Sequence, residues 1–321
     1  MQTSDGLVDA VRAGDRAALA RLLSVVESGG DAARAQLSVV PVAAADAAWT
    51  VGITGAPGAG KSTLTARLVQ HLRAGGARVA VLAVDPSSPV SGGAILGDRV
   101  RMGAHATDPD VFIRSMATRG RLGGLARATP QAVRVLALAG FEWILVETVG
   151  VGQVEVAVAG TADTTVVVVN PGWGDGVQAT KAGLLEVGDV FVVNKADRDG
   201  VAATVRDLEG MLALGDGRAW SPPVLETVAT EDRGVAELVA ELARHREVVA
   251  ASGELAARRA RRVEGEVRAL VVDRLLARAD DLCAGDRFAA AVRGVVAGDT
   301  DPEAAARALV DDVDRSPGPA G

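Results

Sequence analysis

The stretch "WTVGITGAPGAGKSTLTARLVQHLRAGG", Trp49 to Gly76, decides the fold. "TVGIT" reads as a buried strand, and from Lys61 a helical pattern runs to Gly75. Between them lies "GAPGAGKS": Gly55, Ala56, Pro57, Gly58, Ala59, Gly60, Lys61 and Ser62. This is the pattern G-x-x-x-x-G-K-S in the strand-before, helix-after setting that gives it meaning. Glycines let successive backbone N–H groups turn inward, and the helix N-terminus adds partial positive charge. Lys61 is placed to bridge outer phosphates, the Ser62 hydroxyl to bind magnesium, and Thr63 to support the helix start.

Outward from this stretch, short apolar runs alternate with helical patterns. "RVAVLAV", "WILVETV", "TTVVVVN" and "DVFVVNK" read as strands, and "TPQAVRVLALAG" as a helix. Continuous apolar strands separated by helices predict an α/β fold, a P-loop NTPase with a mostly parallel, doubly wound sheet covered on both faces. Residues 4 to about 45 predict two helices broken at Gly29-Gly30, and after about residue 245 the strands stop. The expected organisation is therefore an N-terminal helical region over 1–46, the nucleotide domain over 47–245, and a C-terminal helical arm with a tail over 246–321. In that arm Val263, Val267, Leu270, Val271 and Leu275 form a stripe that could be buried against a copy of the chain. The run "ARRARR" reads as a solvated helix face.

The totals narrow the function. The 321 residues are 49% hydrophobic with a formal net charge of -7, ample for a core and unsuited to nucleic acid or an anionic membrane. The first residues carry acids and no apolar core of a signal, and no apolar stretch has membrane-span length, so an intracellular, cytoplasmic setting is expected. Cys283 is the only cysteine, which excludes a disulfide framework and a single-chain Cys-cluster metal site; such a lone thiol is expected to be buried. Lys61, Lys181 and Lys195 are the only lysines, and Asn170 and Asn194 the only asparagines. Arginine is abundant, so these survivors mark places where it cannot replace a compact ammonium.

"NKAD", Asn194 to Asp197, ends the run "DVFVV". A carboxylate is an acceptor and matches the paired N1–H and N2–H donors of guanine, whereas adenine presents an acceptor there. Asp197 therefore selects GTP over ATP, with Lys195 along the base plane and Asn194 bracing the loop. "ETVG" closes "WILV": Glu147 can hold a magnesium-bound water, and Gly150 lets an N–H approach the γ-phosphate. Gln153 lies further on than a water-positioning glutamine would. In "DPSSPVSGGAILGDRVRM", Asp85 ends a strand and Asp98 follows a glycine-hinged loop. A rigid and a mobile acid around one magnesium make a nucleotide-dependent switch.

The strings "GAPGAGKST", "AVDPSSPVSGGAILGDRVRM", "FIRSMATRGRLGGLARAT", "VETVGVGQVE", "VVVNPGWGDGVQATKAG" and "NKAD", in that order, resemble the MeaB-type GTPase chaperones of adenosylcobalamin-dependent methylmalonyl-CoA mutase, also called the ArgK type. The resemblance implies a homodimeric GTPase with a C-terminal dimerisation arm that gates loading of the B12 cofactor and protects or reactivates the mutase. Its partners would be that acyl-CoA mutase and, as a further candidate, the adenosyltransferase. It implies a magnesium site of Ser62, Asp85, Asp98 and Glu147, and GTP or GDP as the ligand. The loop "NPGWGDGVQATK" would be a client-facing switch with Asp175, Gln178 and Lys181. The segment that often reads Ser-Ala is here "TVAT", with Ala229 as the nucleotide contact. No Asp-x-His-x-x-Gly cobalamin signature occurs, so no cobalamin site of its own is expected. A P-loop kinase, a metal-delivery GTPase of the same fold and a scaffold with a structural nucleotide are the alternatives.

Overall fold

The computed structural model describes residues 4–85, 107–117, 122–148, 160–172, 183, 185–213 and 220–315. The strands are β1 (Trp49–Gly55), β2 (Val79–Asp85), β3 (Val111–Ala117), β4 (Trp143–Thr148), β5 (Thr164–Val169), β6 (Val190–Asn194) and β7 (Val224–Thr227). They form one seven-stranded sheet in the order β3-β2-β4-β1-β5-β6-β7. Every pair is parallel, as the continuous apolar runs predict.

Alternate strand residues face opposite helical layers, which is the period of an extended chain. Ala80, Leu82, Val84, Ile144 and Val146 point to one face, where they share a core with Leu19, Leu22, Leu23 and Leu136. That layer is built by α1 (Ser4–Arg12), α2 (Arg16–Ser28) and α5 (Leu122–Leu138). Val51, Ile53, Val81, Leu145, Val166 and Val168 point to the other face, onto α4 (Lys61–Ala74) and α7 (Val235–Ala251) through Leu64, Leu68, Leu238 and Leu242. A third cluster sets Val167, Val169, Phe191 and Val193 against Leu208 of α6 (Val201–Leu212). Each such Val or Leu, fully buried, is worth about 1.5–3 kcal/mol. The sheet therefore presents the carboxyl end of β1 from a rigid centre.

The N-terminal segment differs from its expected two helices. Gly29 ends α2 as foreseen, with φ 69°, and α3 (Gly30–Leu37) follows. A further break falls at Gly14-Asp15, where the Asp15 carboxylate accepts hydrogen bonds from the N–H groups of Ala17 (2.8 Å) and Ala18 (3.0 Å) and starts α2. Strands β3 and β7, unread in the sequence, are the edges of the sheet. On β3, Arg114 donates to the Ala20 carbonyl (3.0 Å) and the Glu27 carboxylate (2.7 Å), so a charged residue within a strand fastens α2.

The chain divides into two compact units, 1–266 and 267–321, with the division inside α8 (Glu254–Leu282). The first turns of α8 correct the solvated reading of "ARRARR". Arg258 donates to both carboxylate oxygens of Asp189 at 2.8 Å. Arg262 reaches Asp163 at 2.8 Å, and Arg259 reaches Asp163 at 3.4 Å and Asp46 at 2.7 Å. Asp163 and Asp189 are 0% and 4% exposed. They immediately precede β5 and β6, where their carboxylates also accept from the Thr50 and Thr165 N–H groups. Buried carboxylates require such partners, and the arginines supply them. His245, fully buried between Trp49 and Trp220, has Nδ1 2.8 Å from the Thr164 hydroxyl and Nε2 3.4 Å from Asp189.

In the second unit, α9 (Gly285–Ala297) and α10 (Pro302–Arg315) fold back beside the end of α8. A groove of about 350 Å³ runs among Leu282, Phe288, Val292, Val295, Leu309 and Val310. Val267, Val271, Val272, Leu275 and Leu276 of α8 are exposed. Cys283 is exposed, against its expected burial, because it sits on this small helical unit and not in the sheet core. Among the described residues no helix is long and apolar enough to cross a membrane.

Two outcomes follow for stability. Asp163→Ala removes the acceptor of Thr50 N–H and strands Arg262, and should cost about 3–5 kcal/mol in urea unfolding, while the exposed Arg261→Ala stays within about 0.5. Burial pushes the Asp189 carboxyl upward, but His245 and Arg258 outweigh it and hold it below the ordinary carboxylate value. The stabilisation is therefore present above about pH 4 and is lost as pH falls through the lower folded value. Unfolding followed from pH 5 to pH 2 should show a shallower acid loss in Asp189→Asn than in the parent.

Candidate nucleotide site

At the carboxyl ends of the parallel strands, the loop after β1 turns between β4 and β5. Gly55 has φ 132°, and a Cβ there would lie 1.9 Å from the Val168 carbonyl oxygen of β5. Gly60 has φ 93°, and its Cβ would meet Asn194 Nδ2 at 2.3 Å. Both positions combine a left-handed backbone with a contact that leaves no room for a side chain. The spacing of the two glycines is thus a packing requirement as well as a phosphate-binding one.

Lys61 is buried, and its ammonium donates to the carbonyls of Gly55 (2.7 Å) and Ala56 (3.1 Å), so it lies across the mouth of the loop. Ser62 donates its hydroxyl to Glu147 Oε1 at 2.6 Å. Glu147, 1% exposed, is paired in register with Ile53 of β1 and Ala83 of β2. Thr148 beside it donates to the Thr54 hydroxyl at 3.3 Å, tying β4 to β1 next to the loop. Two hard oxygen donors, one hydroxyl and one carboxylate, therefore converge at the start of α4, a donor set that suits magnesium. The backbone of Asp85 ends β2 one residue beyond Val84, which is opposite Thr148. Among the described residues no group of three or more His, Cys, Asp and Glu side chains could hold a metal ion.

The second half of the site is assembled by Asn194, which is 2% exposed at the end of β6. Its amide donates to the Ala59 carbonyl at 2.8 Å. Its amide oxygen accepts from the Thr227 hydroxyl (3.0 Å) and from Ala229 N–H (3.2 Å). One side chain thereby joins the phosphate loop, β6 and the turn after β7. Lys195, with φ 60°, extends over the loop and donates to the Gly58 carbonyl at 2.6 Å. Ala196 N–H donates to the Thr227 carbonyl at 3.0 Å, which leaves Asp197 exposed at the rim.

The fold thus gathers Gly55, Ala56, Pro57, Gly58, Ala59, Gly60, Lys61, Ser62, Thr63, Glu147, Asn194, Lys195, Asp197 and Ala229 at one end of the sheet. Asp98, Gly150, Gln153, Asp175, Gln178 and Lys181, and the side chain of Asp85, lie outside the described residues. The sequence reading missed Arg67 and His71 on α4. Arg67 donates to the carbonyls of Ala229 and Thr230, both at 3.0 Å, and His71 Nε2 lies 2.9 Å from Asp232 Oδ1. Their partners lie 161 to 163 residues further along the chain, so no local pattern could have found them.

Comparison with known proteins gives the family. The family model described as methylmalonyl Co-A mutase-associated GTPase MeaB matches residues 19–283. A protein of Pyrococcus abyssi that carries the name GTPase is 46% identical over 313 residues, 96% of each chain. GTPase ArgK of Escherichia coli is 38% identical over 76% of each chain. A solved structure described as LAO/AO transport system kinase aligns over 97% of this chain and 98% of its own, with TM-score 0.69 and 26% identity. With a family model that matches most of its length and relatives of this identity, the chain belongs to the MeaB family of methylmalonyl-CoA mutase-associated GTPases.

Proposed function

We propose that this GTPase is a chaperone that uses GTP binding and hydrolysis to gate adenosylcobalamin loading and to protect or reactivate a B12-dependent acyl-CoA mutase, methylmalonyl-CoA mutase being the favoured client. The observation that supports the reading is Asn194, which joins the phosphate loop to the turn after β7 within a chain of this family. In the proposed complex the base lies over Lys195 with its N1–H and N2–H on Asp197, and the phosphates lie along the N–H groups of residues 58–62 at the α4 N-terminus.

Lys61 would exchange the Gly55 and Ala56 carbonyls for the outer phosphate oxygens and offset charge that spreads over the transferred group. Ser62, Glu147, Asp85 and Asp98 would hold a magnesium ion, which supplies charge neutralisation between the outer phosphates when bound. The residues at 175, 178 and 181 and Gln153 are the proposed coupling to the client. A second copy of the chain is the proposed partner of the exposed α8 stripe, with 246–321 as the dimerisation arm. The name of the solved relative gives a phosphotransferase as a second reading, in which phosphate would pass to an acceptor and not to water.

Three measurements decide among these. Phosphate release from GTP, with no acceptor present, should be slow in the isolated chain and rise at least several-fold on adding purified methylmalonyl-CoA mutase; equal rates with and without it would exclude that client. Lys61→Ala should lower hydrolysis by 100-fold or more, and Asp197→Asn should weaken GTP and gain affinity for xanthosine triphosphate, whose 2-oxo group matches an amide donor. Sedimentation of the parent should give a dimer, and Val271→Asp with Leu275→Asp should shift it to a monomer while nucleotide binding stays within about twofold.

A further inference from the structure

We propose that Arg67 is the positioning residue of the guanine-reading turn, and that its grip on two successive carbonyls sets base selectivity in this chain. The inference rests on the base pocket described above. The turn that follows β7 is a single short 3-10 turn, Ala229–Glu231, leaving an edge strand of four residues. Such a turn has no strand beyond it to fix its peptide planes. On one side Asn194 accepts from Ala229 N–H, and on the other α4 supplies Arg67.

The guanidinium makes its contacts as a fork. Nε donates to the Ala229 carbonyl and Nη2 to the Thr230 carbonyl, each at 3.0 Å, while Nη1 donates to Gln70 at 3.0 Å, which holds the plane of the group. His71, one turn further along α4, meets Asp232, which closes the turn in a left-handed conformation at φ 60°. The bridge between Val228 and Arg233 completes the frame.

Planarity carries this to chemistry. In a trans peptide the carbonyl of one residue and the N–H of the next point in opposite directions. With the Ala229 carbonyl held by Arg67, the Thr230 N–H is directed away from α4. The next N–H, of Glu231, is engaged with the Val228 carbonyl at 2.9 Å, and Ala229 N–H is engaged with Asn194. Of the Ala229, Thr230 and Glu231 N–H groups, that of Thr230 is therefore the one left to face a base. A donor suits the O6 acceptor of guanine or hypoxanthine and opposes the N6 amino group of adenine. Release of Arg67 frees the Ala229-Thr230 peptide to rotate and present its carbonyl instead. Asp197 reads the N1 and N2 edge, so the two residues govern different atoms of the same ring.

The test is equilibrium binding of GTP, ITP and ATP to the parent, Arg67→Ala, Arg67→Lys and Asp197→Asn, with kcat and KM for GTP and the thermal midpoint of each. Arg67→Ala should weaken GTP and ITP alike, by about tenfold, and narrow the preference for GTP over ATP, with KM raised and kcat within twofold. Arg67→Lys keeps the half-buried stem, but one ammonium does not span two carbonyls in a fixed plane, so it should recover less than half of the loss on a logarithmic scale. Asp197→Asn should weaken GTP more than ITP, which lacks the N2 amino group. Unchanged GTP affinity and selectivity in Arg67→Ala, or full recovery by lysine, overturns the brace while a GTP-selective loss in Asp197→Asn leaves the pocket standing. If Asp197→Asn also leaves GTP untouched, the base lies elsewhere and both fall.

Discussion

The amide of Asn194 is the contact on which the site depends. It is buried at the end of a strand whose residues are all inaccessible, and it spends its donor on the Ala59 carbonyl and its acceptor on Thr227 and Ala229. Buried polar groups without partners are costly, so the three segments and this side chain fix one another. Gly60 is glycine in part because Asn194 occupies the space a Cβ would need. The phosphate loop and the turn after β7 are consequently one rigid construction, set at the carboxyl ends of β1, β6 and β7.

The opposite end of the same sheet is held by charge. Asp163 and Asp189 immediately precede β5 and β6, and the arginines of α8 close over them. The first turns of α8 are thus anchored at the amino ends of β5 and β6. The net stabilisation from such a buried network is small, since its desolvation cost offsets much of its attraction, whereas removing one partner leaves the other charge buried and unpaired.

Much of this was legible in sequence because the informative residues are close together in the chain. The phosphate loop, the strand before it and the helix after it lie within one continuous stretch, and three of the five rare lysines and asparagines, Lys61, Asn194 and Lys195, fall around that loop. Glu147 was found because it ends an unbroken apolar run. What escaped was set by distant partners. "ARRARR" looks solvated until Asp189 and Asp163 arrive from 69 and 99 residues away. β3 was hidden by Arg114, whose partners lie on α2, and β7 by its length of four residues at the sheet edge. Cys283 follows the rule for its type only where a thick core is at hand, and the helical unit around it has none. Arg67 was invisible for the same reason as the arginines of α8: its acceptors are backbone carbonyls 162 and 163 residues away, and no side-chain pattern announces them.

The central claim is that one rigid pocket, joined through Asn194, binds a guanosine nucleotide and refuses its adenosine counterpart. Titration calorimetry of the full chain with GTP and with ATP, each in the presence of magnesium, addresses it directly. The account predicts one GTP per chain with an affinity at least 100-fold above that for ATP; comparable affinities for the two, or no heat with GTP, would contradict it.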